Sequence, residues 1–138
     1  MESKAIPDQS ITASSFSPPF DARPADWFAP YKGRLRGPTP AWCAHKDQTN
    51  TNQWLQIDLG MEMKVTGVAS QGQYVRGVKT YYIKYSLDNS TWSTYQESSS
   101  NKVTTYTTSW NCKYLKCKLD RGVKSHTVNH NIHVFFCK

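Results

Sequence analysis

Apolar and polar residues alternate with a period of two along several short stretches of this chain, the spacing that puts every second side chain on one face of a strand. Residues 53–59 place Leu55, Ile57 and Leu59 on one face. Over residues 78–87, Lys79, Tyr81, Ile83, Tyr85 and Leu87 alternate with Thr80, Tyr82, Lys84 and Ser86. Over residues 113–119, Leu115, Cys117 and Leu119 are expected to point inward and Tyr114, Lys116 and Lys118 outward. Ile132, Val134 and Phe136 form one face of a last strand. Turn signals at Leu59-Gly60, Gln71-Gly72 and Asp88-Asn89 separate these runs. Helical periodicity is hard to find, so the pattern predicts an all-β chain folded as a sandwich or barrel.

One segment breaks the alternation. Residues 16–40 hold six of the seven prolines, with Phe16, Phe20, Trp27, Phe28 and Tyr31 among them. Proline spaced this way is poor sheet material, so the segment is expected to be a long, semi-rigid surface loop of the kind that often carries function.

Composition narrows the classes. A length of 138 residues fits one domain and is too short for a (β/α)₈ barrel. No long apolar run marks a transmembrane helix, and Met1-Glu2-Ser3-Lys4 leads into polar sequence rather than a signal-peptide core. Aromatic residues make up 13% of the chain, which argues against disorder, and the formal net charge is +7. A basic surface seeks an anion, while exposed aromatics seek a membrane interface, a sugar ring or a base.

Catalytic and metal chemistry find little support. The ten acidic residues are scattered, and no nucleophile elbow, phosphate-cradling glycine loop or His-Glu-x-x-His motif occurs. Cys112, Cys117, His126, His130 and His133 cluster late, but no choice among them satisfies the spacing of a zinc finger.

The ordered motifs resemble the discoidin family, the C-type domains of coagulation factors V and VIII. Ala5–Ser15 is similar to that family's opening segment, and Ala41-Trp42-Cys43-Ala44 with residues 53–60 to its second signature. Residues 64–69 with Gln71-Gly72 resemble the third, and residues 82–92 the long strand and hairpin that follow. These motifs run through residues 5–96; after Glu97 the family's Gly-Asn-rich turn and the usual Arg and Glu of the last strand are absent. The resemblance implies an eight-stranded antiparallel jelly-roll β-sandwich with ligand-binding loops at one end, spanning residues 1–138 as a single non-catalytic domain. The family's first cysteine has no counterpart before Ile6, although Cys137 matches the second, so the chain reads as a fragment or a departure from the pattern. Four cysteines allow three full pairings, and spacing selects none. Some relatives tie the Trp-Cys loop to a late strand, which puts Cys43 with Cys117 first among the pairs; buried thiols are the alternative.

By the same resemblance, residues 26–35 correspond to the first of the projecting spikes, apolar at the tip above a basic collar. Phe20, Trp27 and Phe28 are the candidate tip, and Arg23, Lys32, Arg34 and Arg36 the collar, with Asp26 at the start of the spike. The alternative is that Trp27, Phe28 and Tyr31 pack down onto the sandwich and that Arg34 is a structural residue under the loop. Tyr74, Val75 and Arg76 fall where a second spike belongs. An anionic phospholipid membrane is the favoured partner, since interfacial aromatics insert and each basic residue near an anionic leaflet adds about 1 kcal/mol. The rival is a glycan, stacked on Trp27 or Tyr74 and held by Arg76 with Asp26 or His45. A matrix or receptor protein such as collagen is a third candidate, and no nucleic-acid motif accompanies the charge. No cofactor is implied, and nothing in the sequence indicates a structural calcium ion. Asn89-Ser90-Thr91 forms a glycosylation sequon at a hairpin tip, which favours an extracellular or cell-surface setting. A true start at Met1 would instead imply a cytosolic or unconventionally exported chain.

Overall fold

The computed structural model describes residues 6–19, 21–34, 41–45, 52–72, 81–95, 110–119 and 129–136, with backbone alone at 69–72, 110, 119 and 129–136. Seven strands occur among them: β1 (Ile11–Ala13), β2 (Trp42–Cys43), β3 (Trp54–Gly72), β4 (Tyr81–Ser86), β5 (Ser93–Thr94), β6 (Trp110–Leu119) and β7 (Asn129–Phe136). Short 3-10 turns at Asp8–Ser10 and Pro30–Gly33 are the only helical elements in the described residues. Every strand pairing is antiparallel, in the order β2-β7-β3-β6-β4-β5, with β1 added alongside β3. The architecture is an antiparallel β-sandwich, as the alternation and the family resemblance imply.

Strand β3 is the organising element. Its first part pairs with β1 and β6, and its second part with β6 and β7. A register irregularity between Asp58 and Met63 separates the two parts. Gly60 lies there with φ +79°, a left-handed conformation that side-chain-bearing residues avoid, and its N–H is held by the Asp58 carboxylate at 2.8 Å. Gly60 was expected to end a strand. It instead lets one 19-residue strand change direction without breaking. Gln71-Gly72 likewise stays in the ladder, opposite Asn131 and His130 of β7.

Alternation builds the core. Leu55 of β3, Cys117 of β6 and Ile83 of β4 form one cross-strand row, and Ile57, Leu115 and Tyr85 form the next. These residues join Ile6, Ile11, Trp42, Val65, Val68 and Cys112 in one apolar cluster. Side chains such as Leu55, Ile57 and Leu115 are almost wholly removed from water, each contributing about 1.5–3 kcal/mol by its burial. The outward positions of the same rows carry Trp54, Gln56, Tyr114, Lys116, Lys118, Tyr82 and Lys84, the reverse face of the same two-residue period.

The expected Cys43–Cys117 disulfide is not formed: both residues, and Cys112, are buried thiols. Cys117 belongs to the core cluster, whereas Cys43 turns out of it beside Trp42 and donates its thiol toward the Ala44 carbonyl. Strands β7 and β3 lie between their strands in the sheet order. Burial pushes the Cys117 thiol far above its ordinary pKa.

Candidate functional site

The proline-rich loop is tied to the sandwich at both ends by polar side chains. At its start, the hydroxyls of Ser14 and Ser15 donate to the buried Gln53 carboxamide at 2.8 and 2.6 Å. The Trp42 indole donates to the Ser15 carbonyl, and the Ser17 N–H to the Cys43 carbonyl. At its end, the buried Arg34 guanidinium reaches the Ile6 carbonyl at 2.7 Å and the Asp8 carboxylate at 2.6 Å. Of the two places the sequence allowed Arg34, the collar or a structural position under the loop, it takes the second and acts as a tether.

Between the tethers, two tight turns shape the spike. Trp27 N–H donates to the Pro24 carbonyl, Ala29 N–H to Asp26, and Lys32 N–H to Ala29. Pro30 opens the 3-10 turn, where its fixed φ and missing donor cost nothing. The turns point Phe28 inward. Only 3% exposed, it lies next to the buried Ala29 and accepts the Cys43 N–H on its carbonyl, so it is no part of an apolar tip. A ring beside strand β2 gains more from packing there than from water, and the sequence spacing could not distinguish this from a projecting ring.

What remains exposed is small or charged. Asp21, Ala22, Arg23, Pro24 and Ala25 form the surface of the turn. Arg23 bonds to the Asp21 carboxylate at 3.1 Å and stacks its guanidinium over the half-buried Trp27 ring, 5.1 Å from the centroid. The Trp27 Nε1 is buried with no hydrogen-bond partner among the described residues. The Tyr31 hydroxyl donates to the Asp26 carboxylate, and Lys32 pairs with the same carboxylate at 3.8 Å while lying over the Tyr31 ring. The phenol hydrogen bond, helped by Lys32, holds the Asp26 carboxyl below its usual range, and the same bond pushes the Tyr31 pKa up to about 12.

Every described basic residue of this loop thus carries its own carboxylate: Arg23 with Asp21, Lys32 with Asp26, Arg34 with Asp8. These three members of the expected basic collar are locally neutralised. Sequence reasoning named Arg23, Asp26, Trp27 and Lys32, which the structure gathers on one loop, and missed the partner roles of Asp8, Asp21 and Tyr31. The Asp21-x-Arg23 spacing was the available signal. Phe20, Arg36, Tyr74, Val75 and Arg76 lie outside the described residues, so the second spike is not placed. His45 stands at the base of the loop, its N–H donated to the Ser15 hydroxyl.

Asn89 is exposed at the tip of the β4–β5 hairpin with φ 62°, and its side-chain oxygen accepts from Gln56. Asp88 shapes that tip. The Thr91 and Ser90 N–H groups, together with the Ser86 hydroxyl, hydrogen-bond its carboxylate and hold its pKa well below the ordinary value. Among the described residues no cluster of His, Cys, Asp or Glu could hold a metal ion.

The chain matches the F5/8 type C domain model over residues 10–129. It is 36% identical over 109 residues to lactadherin of Rattus norvegicus, covering 75% of this chain and 25% of that protein. Discoidin, CUB and LCCL domain-containing protein 2 of the same species is 41% identical over 103 residues, covering 70% of this chain and 13% of its own length. The chain therefore spans a quarter or less of these two relatives. Among solved structures, the family 32 carbohydrate-binding module of Clostridium perfringens NanJ, in complex with galactose, superposes with a TM-score of 0.61 at 21% identity. That match covers 94% of this chain and 96% of the module. A second family 32 module from the same bacterium, in complex with GalNAc-β-1,3-galactose, has a TM-score of 0.63 at 16% identity and covers 94% of this chain and 98% of its own. At such identities the shared property is the fold. The chain belongs to the F5/8 type C domain family.

Proposed function

We propose that this F5/8 type C domain is a non-catalytic recognition module for an extracellular or cell-surface ligand, and that its loop 21–34 takes a glycan. The observation that carries this reading is the pairing of each loop cation with a carboxylate around Trp27. A neutralised set of acids and guanidinium offers hydrogen-bond acceptors and donors to hydroxyls while adding little long-range pull toward an anionic surface. The Trp27 ring supplies an apolar face for a sugar ring. Two structural neighbours are carbohydrate-binding modules solved with galactose-containing sugars, which supports the same ligand class.

A membrane is the second reading, favoured by one observation: Phe16, at the start of the loop, is 43% exposed. An aromatic there is placed to enter the interface of an anionic bilayer. A glycan array separates the two. Wild-type chain is expected to give a sharp pattern of bound sugars that Trp27→Ala and Asp26→Asn abolish. An empty array, together with sedimentation on phosphatidylserine vesicles that Phe16→Ser abolishes, would replace the glycan by the membrane.

A further inference from the structure

The lysines of the sheet differ from the cations of the loop. On the outer face, Lys116 of β6 stands directly opposite Lys84 of β4, and Lys118 stands between Trp54 of β3 and Tyr82 of β4. None of the three has a carboxylate partner among the described residues. The described acids nearby are engaged elsewhere: Asp58 holds the Gly60 N–H, and Asp88 holds the hairpin. Like charges directly opposite in a sheet destabilise it, and among the described residues no carboxylate offsets them.

Aromatic rings order this cluster. The Lys116 ammonium lies 4.7 Å from the centroid of Trp54 and 4.0 Å from that of Trp92, which the hairpin brings over β6. Burial beneath the two indoles lowers the Lys116 pKa, and repulsion from Lys84 and Lys118 lowers it further. Tyr82, 46% exposed, borders the patch. Adjacent strands lie about 4.8 Å apart and a two-residue step spans about 6.7 Å, so three cations share a patch scarcely larger than one sugar-sized unit.

We propose that this sheet face is a second binding surface, separate from the loop, that takes a linear sulfated polysaccharide, with Lys84, Lys116 and Lys118 meeting its sulfates and Tyr82 and Trp92 bordering its rings. Charge complementarity selects the occupant. Ammonium groups this close call for anions closely spaced along an ordered chain, which a sulfated sugar provides and a fluid layer of lipid headgroups does not.

The test is titration calorimetry with a heparin decasaccharide at physiological salt. Lys84→Gln with Lys118→Gln leaves Lys116 between its indoles, so the fold is retained, as the thermal midpoint checks. This double variant is expected to bind about tenfold or more weakly, the loss of two charge-assisted contacts. Arg23→Gln with Lys32→Gln removes the same charge from the loop and is expected to change heparin affinity by about twofold at most, because distant charges are screened. Heparin is also expected to shift the tryptophan emission of the wild type, and to shift that of Trp92→Phe less, since Trp54 alone then reports on Lys116. Equal losses in the two double variants, or no binding by the wild type, would overturn the proposal. So would phosphatidylserine vesicles that depend on Lys84 and Lys118 while the decasaccharide does not. The glycan-array result at Trp27 is independent of all three outcomes.

Discussion

Tyr31 and Asp26 hold each other in opposite protonation states, and this pair sets how the loop responds to pH. The folded carboxyl titrates below its ordinary 3.8, so its contribution to stability is present above that value and is lost as pH falls through the lowered folded value. The phenol is raised from 10.0 to about 12, so its contribution is complete below pH 10 and is lost as pH rises toward 12. Tyr31→Phe is expected to lower stability at neutral pH and to flatten both edges of the profile, measured by urea unfolding at a series of pH values. A profile parallel to that of the wild type would show that the pair is not formed in solution. Gly60 makes a second demand at this scale. A Cβ there would touch nothing, so the cost of Gly60→Ala comes from its positive φ alone and is expected at about 1–2 kcal/mol. Gly60→Asn should cost less, because asparagine tolerates the left-handed region. Equal costs for the two substitutions would point to packing instead.

At the scale of elements, period-two alternation identified the strands, because burial on one face leaves a direct record in residue type. Leu55, Ile57, Ile83, Leu115 and Cys117 all face the core as their spacing requires. Alternation could not reveal that β3 runs through Gly60, since a bulge and a turn use the same glycine signal. Nor could it place Phe28, whose burial depends on two loop turns. The Arg34–Asp8 pair was illegible for a similar reason: it spans 26 residues, and only the fold brings the two together. The Arg23–Asp21 and Lys32–Asp26 pairs are local and lay within reach of the sequence. The cysteines give a sharp test of the corrected pairing. Denatured chain alkylated with iodoacetamide without reductant is expected to carry label on both Cys43 and Cys117, read by peptide mass spectrometry. Protection of both until reductant is added would restore the disulfide. The loop's first tether can be tested too: Gln53→Ala leaves the Ser14 and Ser15 hydroxyls without their shared acceptor and should cost about 1–3 kcal/mol. Faster amide exchange at residues 14–17 should accompany that loss.

Across the whole molecule, the net charge of +7 divides into two regimes. The described loop end is basic in composition but paired residue by residue, whereas Lys84, Lys116 and Lys118 on the outer sheet face have no carboxylate partner among the described residues. Summed charge therefore misplaces the attraction for anions, which depends on where charges are left uncompensated. The hairpin adds a way to regulate that face. Asn89 is exposed in the sequon Asn89-Ser90-Thr91, and its side chain touches Gln56, the residue opposite Lys116. A glycan attached to the Asn89 amide nitrogen would grow from the edge of the lysine patch and limit access of a long polyanion. Chain secreted from a eukaryotic host is expected to gain mass that peptide N-glycosidase removes and to leave a heparin column at lower salt than its Asn89→Gln variant. If glycosylated chain and variant elute together, the sugar projects away from the patch and the hairpin leaves the face open; if no mass is gained, the sequon is not used.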